Sequence, residues 1–433
     1  MQGTVVRTIL FVTRVPPDSN GHGASQRAMH ILKSLSGMGA VDLVVIYRGG
    51  DADVERSDLA EARSIAKHCV KAKLRDWTSP HIRWPWLPYK LGMLTELITP
   101  YSGEAPRIRP RGLRKLARAL PARSYDLVFA GRLPAAVVVD RLIRAKLLTA
   151  RMMLADLDDI MSRFKKRQLA VQGRSSGRLR YRLDRIEIAR VRQAERRTLI
   201  DWRAVSVCTD DDVRLLAQAV PQARVVKVPN IVDKVRLPQT IGSGRRVLFV
   251  GSLAAIPNIQ GLTQFLDEAW PLIRRAEPTA TLDVVGMLPP PGLAERLCTI
   301  NGRLHADVPS VEPFYRDCDV VVSPINIGGG TRIKILEAMA HGRPVVSTTI
   351  GSEGLEIESE RHALIADGMP AFAAAVLRLI GDAGLRCSLA DAAYSLQRTR
   401  FGPAALDAAV RSMMPDDREW AVTRPADEMT AVC

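Results

Sequence analysis

The strongest constraint on this chain is a unit that it uses twice: a β-branched apolar run, a glycine-bearing loop, then an amphipathic helix pattern. In the first half the unit runs from Val5 to Thr13, through the loop Pro16 to Gly23, into Ser25 to Leu35. In the second it runs from Arg246 to Val250, through Gly251 to Pro257, into Gln260 to Ile273. Further short apolar runs occur at 41–47, 125–131, 151–157, 204–209 and 223–229, and then at 282–286, 318–324 and 343–349. Strands alternating with helices predict an α/β protein with two Rossmann-like, doubly wound parallel sheets. Asn230 to Arg245 is polar and proline-bearing, with Gly242 and Gly244, and reads as the linker between them. Two such sheets facing an interdomain cleft place ligands at the carboxyl ends of their strands.

Composition narrows the class. The chain has 433 residues, 47% apolar and 25% charged, which excludes wholesale disorder, collagen and coiled coil. No apolar run reaches the ~20 residues that span a bilayer, and the opening stretch is too short for a signal h-region, so a cytoplasmic location is expected. Six cysteines without a C-x-x-C pair suggest neither a zinc site nor a disulfide ladder.

Charge separates the halves. Residues 1–240 hold 44 Lys+Arg against 23 Asp+Glu, whereas 241–433 hold 18 against 23. One half therefore faces an anionic partner. Residues 163–203 carry 14 Lys+Arg and 4 Asp+Glu, with Leu179, Leu183, Ile186 and Ile188 among them. A basic helix of this kind suits the anionic inner face of a membrane, or is simply a solvated face. Nothing resembles a nucleic-acid recognition module, so no nucleic-acid partner is expected. Trp77, Trp84, Trp86 and Tyr89 cluster where they could meet lipid headgroups, line an acceptor groove or be partly buried.

The most informative stretch is Ser323 to Glu356. A strand ending at Pro324 leads to Gly328, Gly329 and Gly330, and from Thr331 a helix carries Ile333, Leu336 and Ala340 on one side until Gly342. Glycines before a helix N-terminus let backbone N–H groups approach a phosphate, and the helix dipole favours it. Arg332 and Lys334 oppose that dipole, which is odd for helix stability alone and suited to a phosphate ligand. Glu337, further along, could accept hydrogen bonds from two adjacent ribose hydroxyls.

KILEAMAHGRPVVSTTIGSEGL, LDVVG, VEPFYRDCDVVVSP and VPNIVD resemble the donor-binding half of glycosyltransferase family 4, retaining enzymes of the GT-B fold. ILFVTRVPPDSNGHGASQRAMHILKSL is similar to the family's first strand, acceptor-side loop and helix. The resemblance implies sugar transfer from a nucleotide-diphosphate donor to a saccharide or lipid-linked acceptor, in cell-envelope or exopolysaccharide synthesis. It implies an acceptor-side domain at 1–235, a donor domain at 236–395, and a returning helix and tail at 396–433. Donor contacts are expected from Gly251, Gly286, Gly328, Gly329, Gly330, Thr331, Arg332, Lys334, Glu337 and Glu353. Arg332, Lys334 and Asp158 are the expected catalytic residues, and Gly21, His22 and Gly23 the acceptor-side loop.

The chain departs from the family at three places. Of the family's two glutamates with seven residues between them, the second aligns with Glu337 and the first falls on Gly329. Where the family carries an Arg and a Lys, this chain reads GSLAAIPN, with Ser252 and Asn258 nearby, so Arg332 and Lys334 are expected to take over the phosphate charge. In LADLDDI, Asp158 stands where a histidine is common. Asp156 with Asp158, and Asp51 with Asp53, match D-x-D, but cations that already neutralise the leaving group make a metal unnecessary; no metal and no cofactor are expected. The competing readings are a nucleotide-sugar epimerase of the same architecture and a sugar-nucleotide-binding protein without catalysis.

Overall fold

In the computed structural model the first apolar run forms β1 (Thr8–Thr13), flanked by β2 (Ala40–Tyr47) and β4 (Ser124–Gly131), both parallel to it. The structure describes residues 7–19, 21, 23–48, 51–74, 104, 108–172, 178–238, 244–327 and 332–414. β3 (His68–Lys73), β5 (Thr149–Asp158), β6 (Ala204–Val207) and β7 (Arg224–Lys227) complete a seven-stranded parallel sheet in the order β3-β2-β1-β4-β5-β6-β7. Helices on both faces bury the central strands completely: Ile9, Leu10, Phe11 and Val12 are all within 1% of full burial, although they point alternately to opposite faces. Phe11 meets Phe129 edge-on at 5.7 Å.

The second sheet has β8 (Arg246–Val250), β9 (Thr281–Gly286), β10 (Gly302–Ala306), β11 (Val320–Ser323), β12 (Val345–Ser347) and β13 (Leu364–Ile365). Their order is β10-β9-β8-β11-β12-β13, again all parallel. Val247 and Phe249 join the core on one face, Leu248 and Val250 the core on the other. Both sheets are doubly wound as expected.

The compact units are residues 1–229 with 406–433, and residues 230–405. The stretch expected as the linker is packed at its start. Ile231 and Val232 are buried, Val232 donates its N–H to Phe401 O, and Gln397 Nε2 donates to Val232 O at 2.6 Å. The apolar pair was hidden among polar neighbours, and it ties the entry of the second unit to its last helix. The chain returns later than the expected 396, because the helix Ala383–Arg400 packs on the helix Ile333–Ala340 and sends Ala393 and Phe401 into the second unit's core. Only from Leu406 does it rejoin the first unit, where Asp407 accepts a 2.7 Å bond from Ser34 Oγ.

One buried ion pair organises the first unit. Arg27, on the helix Gly23–Ser36, reaches Asp156 through Nε at 2.8 Å and Nη2 at 2.6 Å, and also donates to the carbonyls of Val228 and Pro229. Ser206 Oγ donates to Asp156 at 2.7 Å. The fork-on-carboxylate geometry satisfies both charges away from water, and it joins the first helix, β5, β6 and the end of the β7 segment. Removing one partner leaves the other buried and uncompensated. We expect Arg27→Met to destabilise the first unit by about 3–5 kcal/mol in urea unfolding; a loss below about 1 kcal/mol would show that Asp156 is not desolvated.

Candidate functional site

The second unit places its chemistry at the switch point of its sheet. From β8 the chain turns one way to β9, and β11 lies on the other side, so a crevice opens at the carboxyl ends of β8 and β11. Gly251 ends β8, and the helix Ile333–Ala340 comes after β11. Lys334 Nζ donates to Asn258 Oδ1 at 2.6 Å and stands 4.6 Å from the Phe249 ring centroid. Asn258 in turn donates from Nδ2 to Ser252 O at 2.8 Å.

The two expected glycines are explained by this crowding. A Cβ on Gly251 would lie 2.8 Å from Lys334 Nζ and from Asn258 Nδ2, and one on Gly286 would lie 2.1 Å from Gly251 O. Glycine is thus required at 286 for the β8 and β9 ends to approach each other, whereas a Cβ at 251 would displace the side-chain ends of Lys334 and Asn258. Burial, reinforced by the neighbouring Arg332 charge and opposed by Glu337, pushes the Lys334 amine down to about 7. It is a cation held where water no longer solvates it well.

Glu337 lies one helical turn beyond Lys334. Burial raises its carboxyl above the ordinary range, against the pull of Lys234 and of the hydrogen bond from Tyr315 Oη, which stands at 3.3 Å. The Tyr315 phenol, also 3.2 Å from Lys334 O, is driven well up by burial and by Glu337, so it remains a donor. Lys234, in the coil beyond Asn230, is a cation that motif reading missed. Arg332 precedes the helix, with Nη2 3.5 Å from Ile327 O. Glu353 lies in the turn after β12, where Gly351 packs against Ser347 and Ser323 O. Gly328, Gly329, Gly330 and Thr331 lie outside the described residues, and so does His22.

In the first unit, Gly21 O accepts from Gln26 Nε2 at 2.8 Å and Gly23 begins the helix. A cavity of about 300 Å³ lies at the switch point between β1 and β4, lined by Arg14, Pro16, Asp51, Arg132 and Asp159 among others. Asp158 is turned away into an ion pair, accepting from Arg132 Nη2 at 2.7 Å, with Arg27 Nε at 3.9 Å. Arg132 (φ 70°), just past β4, and Asp158 (φ 64°), at the bulge between β5 and β6, both hold left-handed backbone, costing on the order of 1–3 kcal/mol each. Asp159 faces the cavity instead, raised to about 6 by burial and by the adjacent Asp158. Asp158, Asp159 and Cys208 are the group of three potential metal ligands among the described residues, but Arg132 and Arg27 already neutralise Asp158. Asp156, the other half of the D-x-D motif, is committed to Arg27.

Residues 244–382 match the family model for Glycosyl transferases group 1. The match contains Gly251, Asn258, Tyr315, Lys334 and Glu337, the whole cluster at the second switch point apart from Lys234. A curated relative, an uncharacterized 44.6 kDa protein in the cps region of Klebsiella pneumoniae, is 30% identical over 136 residues. That likeness covers 29% of this chain and about a third (35%) of the relative. Among solved structures, a sucrose-phosphate synthase from Thermosynechococcus elongatus superposes with a TM-score of 0.64 at 15% identity, covering 96% of this chain and all of that one. Anabaena HepE in complex with UDP-glucose gives 0.58 at 14% identity over 94% of this chain and 98% of that one. TarM gives 0.61 at 11% over 95% and 99%. At these identities the likeness establishes the fold, which is GT-B.

The lowered Lys334 amine has a thermodynamic consequence. Between pH 7 and the unfolded value of 10.5 the unfolded chain binds the proton that the native chain has released, so this residue makes stability rise with pH across that window. We expect Lys334→Met to flatten the rise, measured by urea unfolding of both proteins at several values from pH 6.5 to 10; parallel curves would show that Lys334 is solvated.

Proposed function

We propose that this protein is a retaining glycosyltransferase that moves a sugar from a nucleotide-diphosphate donor to a saccharide or lipid-linked acceptor, in cell-envelope or exopolysaccharide synthesis. The observation that carries the reading is the partly buried Lys334, held by Asn258 beside Gly251 at a strand-end switch point within the matched region. A cation kept poorly solvated is stabilised by a diphosphate more than a surface lysine would be. Structures of this fold include one bound to UDP-glucose, which makes uridine nucleotides the first probes.

In this mechanism Lys334 and Arg332 bear the charge that develops on the departing nucleoside diphosphate, and the amides of Gly328 to Thr331 add to them. Glu337 accepts hydrogen bonds from the ribose, and Glu353 contacts the donor from the turn after β12. As the sugar–phosphate bond breaks, the leaving phosphate oxygen takes the proton of the attacking acceptor hydroxyl while the new glycosidic bond forms on the same face. With protein cations on the diphosphate, neither a metal nor a cofactor is needed. The acceptor belongs to the first unit, near the Gly21–Gly23 loop and the cavity that Asp159 faces. That unit's basic surface holds the protein at the anionic inner face of a membrane.

A thermal-shift panel of UDP, GDP, ADP and their sugar conjugates tests the donor site. A ligand at about 100 times its Kd stabilises by about 2.7 kcal/mol. We expect one base to shift the wild type with or without EDTA and to leave Glu337→Ala unmoved. No shift from any nucleotide, or one abolished by EDTA, would reject the metal-independent donor site. Turnover with an acceptor then separates an enzyme from a binding protein.

The amine near pH 7 adds a second signature. At pH 8 a diphosphate should restore the Lys334 proton, so nucleotide binding takes up close to one proton, read by calorimetry in buffers of different ionisation enthalpy. Lys334→Met should bind more weakly with no uptake; equal uptake in both proteins would place the proton elsewhere.

A further inference from the structure

The first unit holds a larger concavity, of about 1280 Å³, which shares no lining residue with the cavity beside β1. It lies between the helices Met161–Gln172 and Arg178–Thr198 and the turn Ala219–Gln222. Six cations line it: Lys166, Arg185, Arg190, Arg192, Arg196 and Arg197; no acidic residue does. This contrasts with the rest of the same helix pair, where Lys165 is 3.8 Å from Glu187 and Arg180 is 3.1 Å from Asp184. None of the six has a side-chain hydrogen bond or ion pair among the described residues. Arg185, Arg192 and Arg196 recur at the spacing that stacks side chains on one face of a helix.

The groove is not purely ionic. Leu169, Ile186, Ile188 and Ile200 also line it, and Ile200 is 51% exposed. A solvated basic face has no need of apolar side chains between its arginines. A duplex nucleic acid, which offers a charged backbone and no aliphatic surface, would leave them uncovered. The chemistry that matches both is an anionic amphiphile, with phosphate on the guanidinium groups and hydrocarbon on the isoleucines.

We propose that this groove binds acidic phospholipid, with lipid phosphates along the row Arg185, Arg192 and Arg196 and acyl chains along Leu169, Ile186, Ile188 and Ile200. The proposal rests on the membrane association put forward above and gives it an address; it is independent of the donor site. The protein would then be held by a lipid drawn partly from the bilayer rather than by diffuse attraction alone.

The test is co-sedimentation of the full chain with vesicles of phosphatidylcholine, alone or with 30% phosphatidylglycerol. We expect binding only to the acidic vesicles. R185A/R192A/R196A should lower the partition coefficient by about 100-fold. R111A/R114A/R118A, which removes the same charge from the exposed face of the helix Pro110–Ala119, should change it by less than about 3-fold. Ile200→Ser should also weaken binding, and 10 mM inorganic phosphate should not compete. The substituted side chains are exposed, and an unchanged nucleotide thermal shift would show that the fold and the donor site are retained. Equal losses in the two triple variants would replace the groove by general surface charge while leaving membrane association intact. No binding to acidic vesicles would remove both. Unaltered binding by Ile200→Ser together with competition by phosphate would make the groove a plain anion site, and binding to an RNA duplex in place of vesicles would assign it to nucleic acid.

Discussion

Everything functional in this molecule depends on the parallel pairing of its strands. A parallel strand cannot be reached by a tight hairpin, so each connection climbs back over one face of the sheet through a helix, and all carboxyl ends emerge along one edge. Where successive connections leave a central strand in opposite directions, the loops part and a crevice is left. This happens beside β1 in the first sheet and beside β8 in the second. The residues at those two places need not be near each other in sequence. Gly251, Tyr315 and Lys334 are brought together because β8 and β11 are neighbours.

The two units treat buried charge in opposite ways. Beside β5, Arg27 and Asp156 neutralise each other with forked hydrogen bonds, and Ser206 and two carbonyls satisfy what remains. That charge is spent on architecture. Lys334 has a neutral amide and an aromatic face instead, with Glu337 one turn away and itself raised by burial. A cation partnered in this way keeps its capacity to stabilise an incoming anion. The difference separates a charge that holds the fold from one that is available for binding.

Much of the fold was legible because central strands of parallel sheets are apolar throughout. The strands that escaped notice, β3, β10 and β13, are all sheet edges. HCVKAK and GRLHA have only one neighbouring strand and partial cover, so they contain polar residues and no apolar run. Arg27 escaped for another reason: it sits four residues before Ile31 and eight before Leu35, on the apolar stripe of its helix, and a charge on such a stripe is itself a signal of a buried partner. In the candidate site, glycines and the Arg332–Lys334–Glu337 spacing could be read locally. Tyr315 lies within VEPFYRDCDVVVSP and Lys234 directly follows VPNIVD, but nothing in either segment marks these two side chains as neighbours of Glu337.

The sequence by itself determined the class of fold and the glycine-bearing strand end at Gly251, because burial on both faces and close backbone approach restrict which residues are tolerated at each place. Only the tertiary structure decided how each charge is used. Asp156, Asp158 and Asp159 are near-identical neighbours in the chain, yet one is locked to Arg27, one to Arg132, and one faces a cavity. Their roles diverge because alternate residues of a strand point to opposite faces and the bulge after Asp156 rotates the backbone beyond it. The partner of each carboxylate is therefore set by packing between segments far apart in the chain rather than by local pattern.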